Sequence, residues 1–204
     1  MNFLIQIYQT IFYQPIFHFL SFLVRTWGDF GLAIICLTFF VRLILFPINF
    51  QVLKNEQKLK KIQEKISKIN KDAKENPQKK VENLIKIYKE EGLNPFFNIL
   101  LLIVQFPILF SIYQVLKNPS SLSSSPFFLG VFDLSKINLI FPLLASALLI
   151  LPATRKKITE SFPTYFSALF TFLVLLRLPS AISFYIFFSY FFSIIERLIV
   201  LKRI

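Results

Sequence analysis

Five apolar stretches, set apart by polar or proline-bearing breaks, dominate the chain: residues 28–48, 94–116, 137–151, 162–176 and 181–200. A helix needs about 20 apolar residues to cross the hydrocarbon of a bilayer. The first, second and fifth stretches meet that length. The third and fourth are short, and a span of that size is accommodated by local thinning of the bilayer. Ahead of them, Phe3, Ile7 and Ile11, then Phe12, Ile16, Phe19, Phe22 and Leu23, recur at helical spacing between Gln6, Gln9, Gln14 and His18. That pattern predicts an interfacial amphipathic helix, bent near Pro15. Arg25, Trp27 and Asp29 then form an anchor at headgroup level before the first span.

Between the first two spans the pattern changes. Leu59, Ile62, Ile66 and Ile69 repeat at steps of 3, 4 and 3, the seam of a coiled coil. Asn76-Pro77 breaks the helix, Val81, Leu84, Ile85 and Tyr88 give a second seam, and Gly92 closes it. Two seams around a proline turn predict an antiparallel helical hairpin. Its remaining positions are mostly Lys, Glu, Gln and Asn, which serve either as a solvated face that fixes topology or as a docking surface. The Ser-rich loop 117–136 carries Phe127-Phe128-Leu129 and Val131-Phe132, apolar enough to dip into the interface.

The fold class predicted is an all-α membrane protein. It is a five-span transmembrane helical bundle with a cytoplasmic antiparallel helical hairpin and an N-terminal interfacial amphipathic helix. The expected division is the external N-terminal helix at 1–27, the first span at 28–48 and the hairpin at 49–93. The second span follows at 94–116, an external loop at 117–136, and the third to fifth spans at 137–204.

Composition agrees with this reading. Hydrophobic residues make up 55% of the chain and charged residues 17%, and the mean hydropathy is +0.61. The net charge of +12 is not spread evenly: residues 51–91 hold twelve of the twenty-three Lys and Arg and seven of the eleven acids. A basic block between apolar runs marks a cytoplasmic loop, so nucleic-acid binding is not expected. With five spans the N-terminus lies outside and the C-terminus in the cytoplasm. No Arg- and Ser-rich transit peptide precedes the core, which points to a bacterial plasma membrane. One cysteine, Cys36, and one histidine, His18, offer neither a disulfide framework nor a metal cluster, and no metal or cofactor is expected.

The candidate chemistry centres on Arg42. It lies about 8 Å from the cytoplasmic end of its span at 1.5 Å per residue. A guanidinium at the bilayer centre costs roughly 3 kcal/mol on insertion scales. Either it snorkels to the headgroups or it faces a polar recess. Thr38 lies one turn away on the same face, Gln105 sits deep in the second span, and Tyr185, Ser189, Ser193 and Glu196 make a polar stripe at steps of 4, 4 and 3. Their convergence predicts a hydrated recess open toward the cytoplasm. No Ser-His-Asp set, phosphate loop or His-Glu-x-x-His motif is present, so no enzymatic reaction is expected. Asp29 and Asp133 fall at external edges, where a carboxylate is expected to be simply solvated. Two other readings stay open at this point: a small secondary transporter coupling Arg42 to Glu196, or a membrane-anchored scaffold with a docking hairpin.

Ordered short motifs add a resemblance. Gly31-Leu-Ala-Ile-Ile with Val41-Arg42-Leu-Ile-Leu-Phe-Pro47, the hairpin exit at Tyr88-Lys-Glu-Glu-Gly-Leu-Asn94-Pro95, and Gln105-Phe-Pro107 with Tyr113 come first. Leu139-Ile-Phe-Pro142, Phe162-Pro163, Leu178-Pro179 and Phe184-Tyr185 follow. From about Tyr13 onward the chain resembles the YidC/Oxa-type membrane protein insertases. The resemblance implies a non-enzymatic insertase and chaperone. Its groove, with Arg42 as the cation, would hold the polar leading segment of a nascent membrane protein before release into the lipid bilayer. It raises the Sec translocon and the ribosome as further candidate partners. The chain departs from the family pattern at Asn98-Ile99, Ile186, Tyr190 and Glu196, where Gly-Cys, Trp, Asn and Gln are usual. No long basic tail follows Ile204 and no lipobox cysteine precedes the core. Ribosome contact through a tail and a lipoprotein form are therefore not expected.

Overall fold

A computed structural model describes residues 3–62, 77–94, 96–117, 126–151 and 158–201. The described chain is mostly helical. It begins with α1 (Phe3–Tyr8), a π-helical turn (Gln9–Tyr13) and α2 (Gln14–Trp27). Pro15 has no N–H to donate, and its ring would meet the carbonyl of Ile11 in a regular α-helix. The wider π turn, Gln9–Tyr13, stands where that conflict would fall, just before Pro15. The buried face of α2 is Ile16, Leu20, Leu23 and Val24; Ile16 and Leu23 belong to the predicted pattern, whereas Phe22 of that pattern is exposed. The buried face packs on the first span. The start of this segment reaches the last turns of the second span, where the Tyr8 hydroxyl meets Ser111 Oγ at 3.1 Å and donates to Gln114 Oε1 at 3.3 Å.

The long helices are α3 (Phe30–Lys61), α5 (Phe96–Lys117) and α8 (Ser180–Leu201). Between them lie α4 (Pro77–Glu90), α6 (Ile140–Ile150) and α7 (Ile158–Leu175). Three segments are long and apolar enough to cross a membrane: Phe30–Leu59, Ile99–Lys117 and Ser180–Val200. Ile140–Ile150 and Thr164–Leu175 are apolar but shorter. The core gathers Phe30, Ile34, Leu37, Ile108, Ile112, Phe184 and Tyr185 between α2, α3, α5 and α8. Outward faces carry Phe39, Phe40, Leu43 and Ile44 on α3, and Phe166, Leu169, Phe170 and Leu173 on α7, all exposed. Aromatic and aliphatic side chains in such numbers on outer faces are what a lipid solvent requires.

The first span was expected to end near residue 48. Instead α3 runs on through Pro47 to Lys61, so span and first hairpin arm are one helix. A proline inside a helix removes one backbone bond, and here the helix continues past it. At the hairpin base, Ile62, Ile87 and Leu93 are buried together, with Leu59 and Tyr88 at their side. Val81 and Ile85 of the predicted second seam are exposed, and Ile87 takes the inward position. A 3-4 pattern alone does not say which flank of the stripe meets a partner; Ile62 decides it here. Lys58 Nζ donates to the Glu91 carbonyl at 2.8 Å and Asn55 Nδ2 to the Asn94 carbonyl at 2.9 Å, closing the base with polar bonds. Ile66, Ile69 and the Asn76 turn lie outside the described residues.

The loop expected at the external end contains a small β-hairpin. Strands β1 (Phe127–Phe128) and β2 (Phe132–Asp133) pair antiparallel, with Phe128 opposite Phe132. Phe128, Phe132, Phe141 and Phe184 form a chain of ring contacts, from 4.8 Å for Phe128–Phe184 to 5.5 Å for Phe132–Phe141. Leu134 is fully buried. Its carbonyl and that of Lys136 accept the Ala181 and Ser180 amides, which seats the first turn of α8. The turn faces outward, with Leu129 and Val131 exposed, and so does Phe127 at the start of β1. Gly31 explains how the hairpin reaches α3: a Cβ at that position would collide with the Cβ and ring of Phe128.

Candidate functional site

Arg42 points inward. Its Nε and Nη2 donate to Ser189 Oγ at 3.1 and 2.8 Å, and its Nη1 lies 3.8 Å from Glu196 Oε2. The side chain is 16% exposed, away from the lipid-facing Phe39, Phe40, Leu43 and Ile44. The snorkelled arginine is therefore not what this sequence builds. Two turns further along α3, Asn49 Nδ2 donates to Glu196 Oε2 at 2.9 Å. Both cross-links have a sequence separation of 147 residues. A constant offset between two helices means that they run in the same direction, so α3 and α8 are parallel and in register over this stretch.

A cavity of about 370 Å³ opens between α3, α5 and α8. Its polar wall is Arg42, Asn49, Gln105, Ser189 and Tyr190. Its apolar wall is Leu45, Leu101, Phe106, Leu109 and Ile186. Of the predicted residues, Arg42, Gln105 and Ser189 thus line one space. Tyr185 is fully buried behind it, its hydroxyl toward Gln105 without hydrogen-bond geometry. Glu196 is held just beside it by Asn49. Ser193 is half-buried and lines neither the cavity nor the Arg42 contacts. Thr38 is fully buried, and its hydroxyl is spent on the Ile34 carbonyl of its own helix at 2.6 Å.

Sequence reasoning missed Asn49 and did not place Tyr190 in the lining. Asn49 lies seven residues after Arg42 on the same helical face. That spacing was the available signal, but the first span had been ended one residue earlier. Tyr190 follows Ser189, and α8 turns both toward the cavity.

Chemically, the arrangement offers one fixed cation in a half-apolar space of small-ligand size. Arg42 has no regular carboxylate fork: two of its nitrogens bind a neutral hydroxyl, and the nearest acid stands beyond hydrogen-bond distance. Among the described residues there is no cluster of His, Cys, Asp or Glu able to hold a metal ion.

Asp29 is not simply solvated. Its Oδ1 accepts the Leu32 amide at 2.8 Å at the start of α3, and its Oδ2 accepts the Leu129 amide at 2.5 Å. Asp133 accepts the Ser135 hydroxyl and amide at 2.6 and 3.0 Å and pairs with Lys136 at 3.0 Å. The Ser135 hydroxyl first, then Lys136, hold its carboxyl below the usual carboxylate range against a partial desolvation.

Comparison with known proteins gives the same direction as the motifs. A family model described as "60Kd inner membrane protein" matches residues 22–204. A protein of Wolinella succinogenes named "Membrane protein insertase YidC" is 34% identical over 96% of this chain and 38% of its own length. A Campylobacter jejuni protein of the same name is 32% identical over 95% of this chain and 38% of its own. One from Helicobacter pylori is 39% identical over 68% and 26%. The chain therefore spans about 38% of the length of the first two relatives. The apolar helices and these relatives make it a multi-pass protein of the bacterial inner membrane. With its family match running from residue 22 to the last residue, the chain belongs to the 60Kd inner membrane protein family, that of the YidC/Oxa-type membrane protein insertases.

Proposed function

We propose that this chain is a membrane protein insertase and chaperone that accepts nascent membrane proteins in the cavity beside Arg42 and releases them into lipid. One observation carries the reading: a guanidinium held inside the bundle, on the wall of a cavity lined half by polar and half by apolar groups. A permanent cation in a site of reduced dielectric attracts a carboxylate more strongly than it would in water. The polar leading segment of a substrate would rest against Arg42, Gln105 and Ser189, and its apolar helix against Leu101, Phe106 and Ile186. Ser193, Thr38 and Tyr185 would shape the groove from behind and do not touch the substrate. No bond is made or broken, so the protein works by lowering the cost of carrying polar groups partway across.

The proposed topology has five spans, with α6 and α7 as the short third and fourth. The parallel run of α3 and α8 supports an odd number of crossings from α3 to α8, so α6 and α7 cross together or not at all. The hairpin base and the end of α8 then share one side. The basic composition of residues 51–91 makes that side the cytoplasm, and the N-terminal segment lies outside. Tyr8 near the end of α5 and Trp27 at the start of α3 support a helix lying along the external interface.

The test is photocrosslinking of a nascent membrane protein to a probe replacing Ile186, in the full chain and in its Arg42→Lys and Arg42→Ala forms. Crosslinking of the leading segment is expected, with loss in Arg42→Ala. Retention in Arg42→Lys would assign the effect to charge, and loss in both to the planar fork. Unchanged crosslinking and insertion in Arg42→Ala would overturn the groove.

A further inference from the structure

Glu196 sets a problem for a cation meant to receive carboxylates. It places an acid of the protein's own 3.8 Å from Arg42 Nη1, with both side chains largely buried at 16% and 13% exposure. The contact is close enough for attraction and too long for a hydrogen bond. The carboxylate is held off by Asn49, whose Nδ2 takes the same oxygen, Oε2, at 2.9 Å. Arg42 meanwhile rests its Nε and Nη2 on Ser189, a neutral acceptor that a charged guest outcompetes. Three residues on two parallel helices thus hold an acid near the cation without letting it seat.

We propose that Glu196 is an internal competitor of the substrate's carboxylate for Arg42, and that Asn49 is the donor on which it is parked. This rests on the groove reading above and adds selectivity to it. With the cavity empty, Glu196 partly neutralises Arg42, so that the buried cation is not left alone. A segment that brings its own carboxylate forms a shorter, charge-assisted bond to the guanidinium, and Glu196 stays with Asn49. A leading segment without an acid gains nothing from Arg42 and meets no competition. Discrimination between acidic and neutral leaders is set by the balance of Glu196 between Asn49 and Arg42. The fraction of Arg42 that Glu196 leaves open enters the apparent affinity as a direct factor.

The experiment uses the full chain in liposomes, with a photocrosslinking residue in place of Ile186 on the cavity wall. Two single-span nascent chains are offered, identical except that two Asp of one leader are Asn in the other. Glu196→Gln keeps an acceptor for Asn49 and removes the charge. It is expected to raise the crosslink yield of the acidic leader severalfold, because a carboxylate 3.8 Å from Arg42 no longer repels a second one. The neutral leader should be unchanged. Asn49→Ala should act in the opposite sense, lowering the acidic yield alone, because Glu196 is then free to close on Arg42. A structural role would move both leaders together in both variants. Unchanged or reduced selectivity in Glu196→Gln, with Arg42→Ala still losing the acidic leader, would overturn the competitor and leave the groove standing. No effect of Arg42→Ala on either leader would remove both.

Discussion

Asp29 holds Leu129 across the end of the bundle where α3 begins: one carboxylate oxygen caps α3 through the Leu32 amide, and the other accepts the amide of Leu129. Two elements a hundred residues apart in the chain are fixed by one side chain. An N-cap is worth about 1 kcal/mol, and a charge-assisted bond to a backbone amide about 1.5–3 kcal/mol. Asp29→Ala is expected to lower stability in detergent by roughly 2.5–4 kcal/mol from these two terms together. Hydrogen exchange should quicken at both the Leu32 and Leu129 amides. Loss of protection at Leu32 alone would mean that the hairpin is held by its ring contacts.

The bond to Asp29 secures a strained residue. Leu129 has φ 51° and Gly130 φ 68°, and the Val131 amide closes the turn on the Phe128 carbonyl. Both central residues are left-handed, as a type I′ turn demands. For Leu this costs about 1–2 kcal/mol. Leu129→Gly is expected to raise thermal stability in detergent, while Leu129→Ala, which keeps a Cβ, should gain nothing. Equal gains from both would assign the effect to the exposed side chain and not to the backbone.

Gly31 and Phe128 form the other tie at this end. A methyl group at 31 meets the Phe128 Cβ and ring, and the hairpin must lift to make room. Gly31→Ala is expected to destabilise by about 1–3 kcal/mol, the usual range for overpacking. Phe128→Ala costs packing on its own, yet in the double variant the two losses should fall well short of their sum. Additive losses in calorimetry would show that the clash is relieved elsewhere.

Much of this was legible in the sequence because period and composition carry it. The steps of 4, 4 and 3 along α8 placed Ser189 and Glu196 on one face, and that face meets Arg42. The apolar lengths gave all three long spans. What failed depended on partners that a pattern does not contain. Thr38 lies on the face of Arg42, but a β-branched hydroxyl in a helix satisfies itself on the carbonyl four residues back, and it does so. Asn49 was missed because the apolar run, and with it the expected span, stops at residue 48, although the helix continues to Lys61. Val81 and Ile85 belong to a clean seam, yet Ile87 is the residue that Ile62 and Leu93 cover. Asp29 looked like a solvated carboxylate because both of its acceptor bonds go to backbone amides, which no residue type announces.

Asp133 gives a pH signature. Its carboxyl is held below the ordinary range by the Ser135 hydroxyl and by Lys136. A group depressed in the folded state contributes stability above its unfolded pKa, about 3.9 for Asp, and loses it as pH falls through the lower folded value. Asp133→Asn should therefore be slightly less stable than the parent at neutral pH, and the difference should begin to shrink near about pH 4 and vanish only below the lower folded value. The effect is small because the site is solvent-facing. A difference that grows on acidification would reverse the sign and refute the assignment.

The parallel register of α3 and α8 makes topology testable with few substitutions. Arg42–Ser189 and Asn49–Glu196 share one offset, so α4 at the hairpin base and the end of α8 lie toward the same end of the bundle. The Leu129–Val131 turn sits at the opposite end, over the start of α3. In a background with Cys36→Ala, single cysteines at Lys86 and at Val131, both exposed, report the two sides. With the basic hairpin in the cytoplasm, an impermeant thiol reagent added to intact cells is expected to label Val131→Cys and to spare Lys86→Cys until the membrane is opened. The reverse pattern would turn the bundle over and place the cavity beside Arg42 toward the outside. Labelling of both in intact cells would break the link between the register of the helices and an odd number of crossings, and with it the five-span topology.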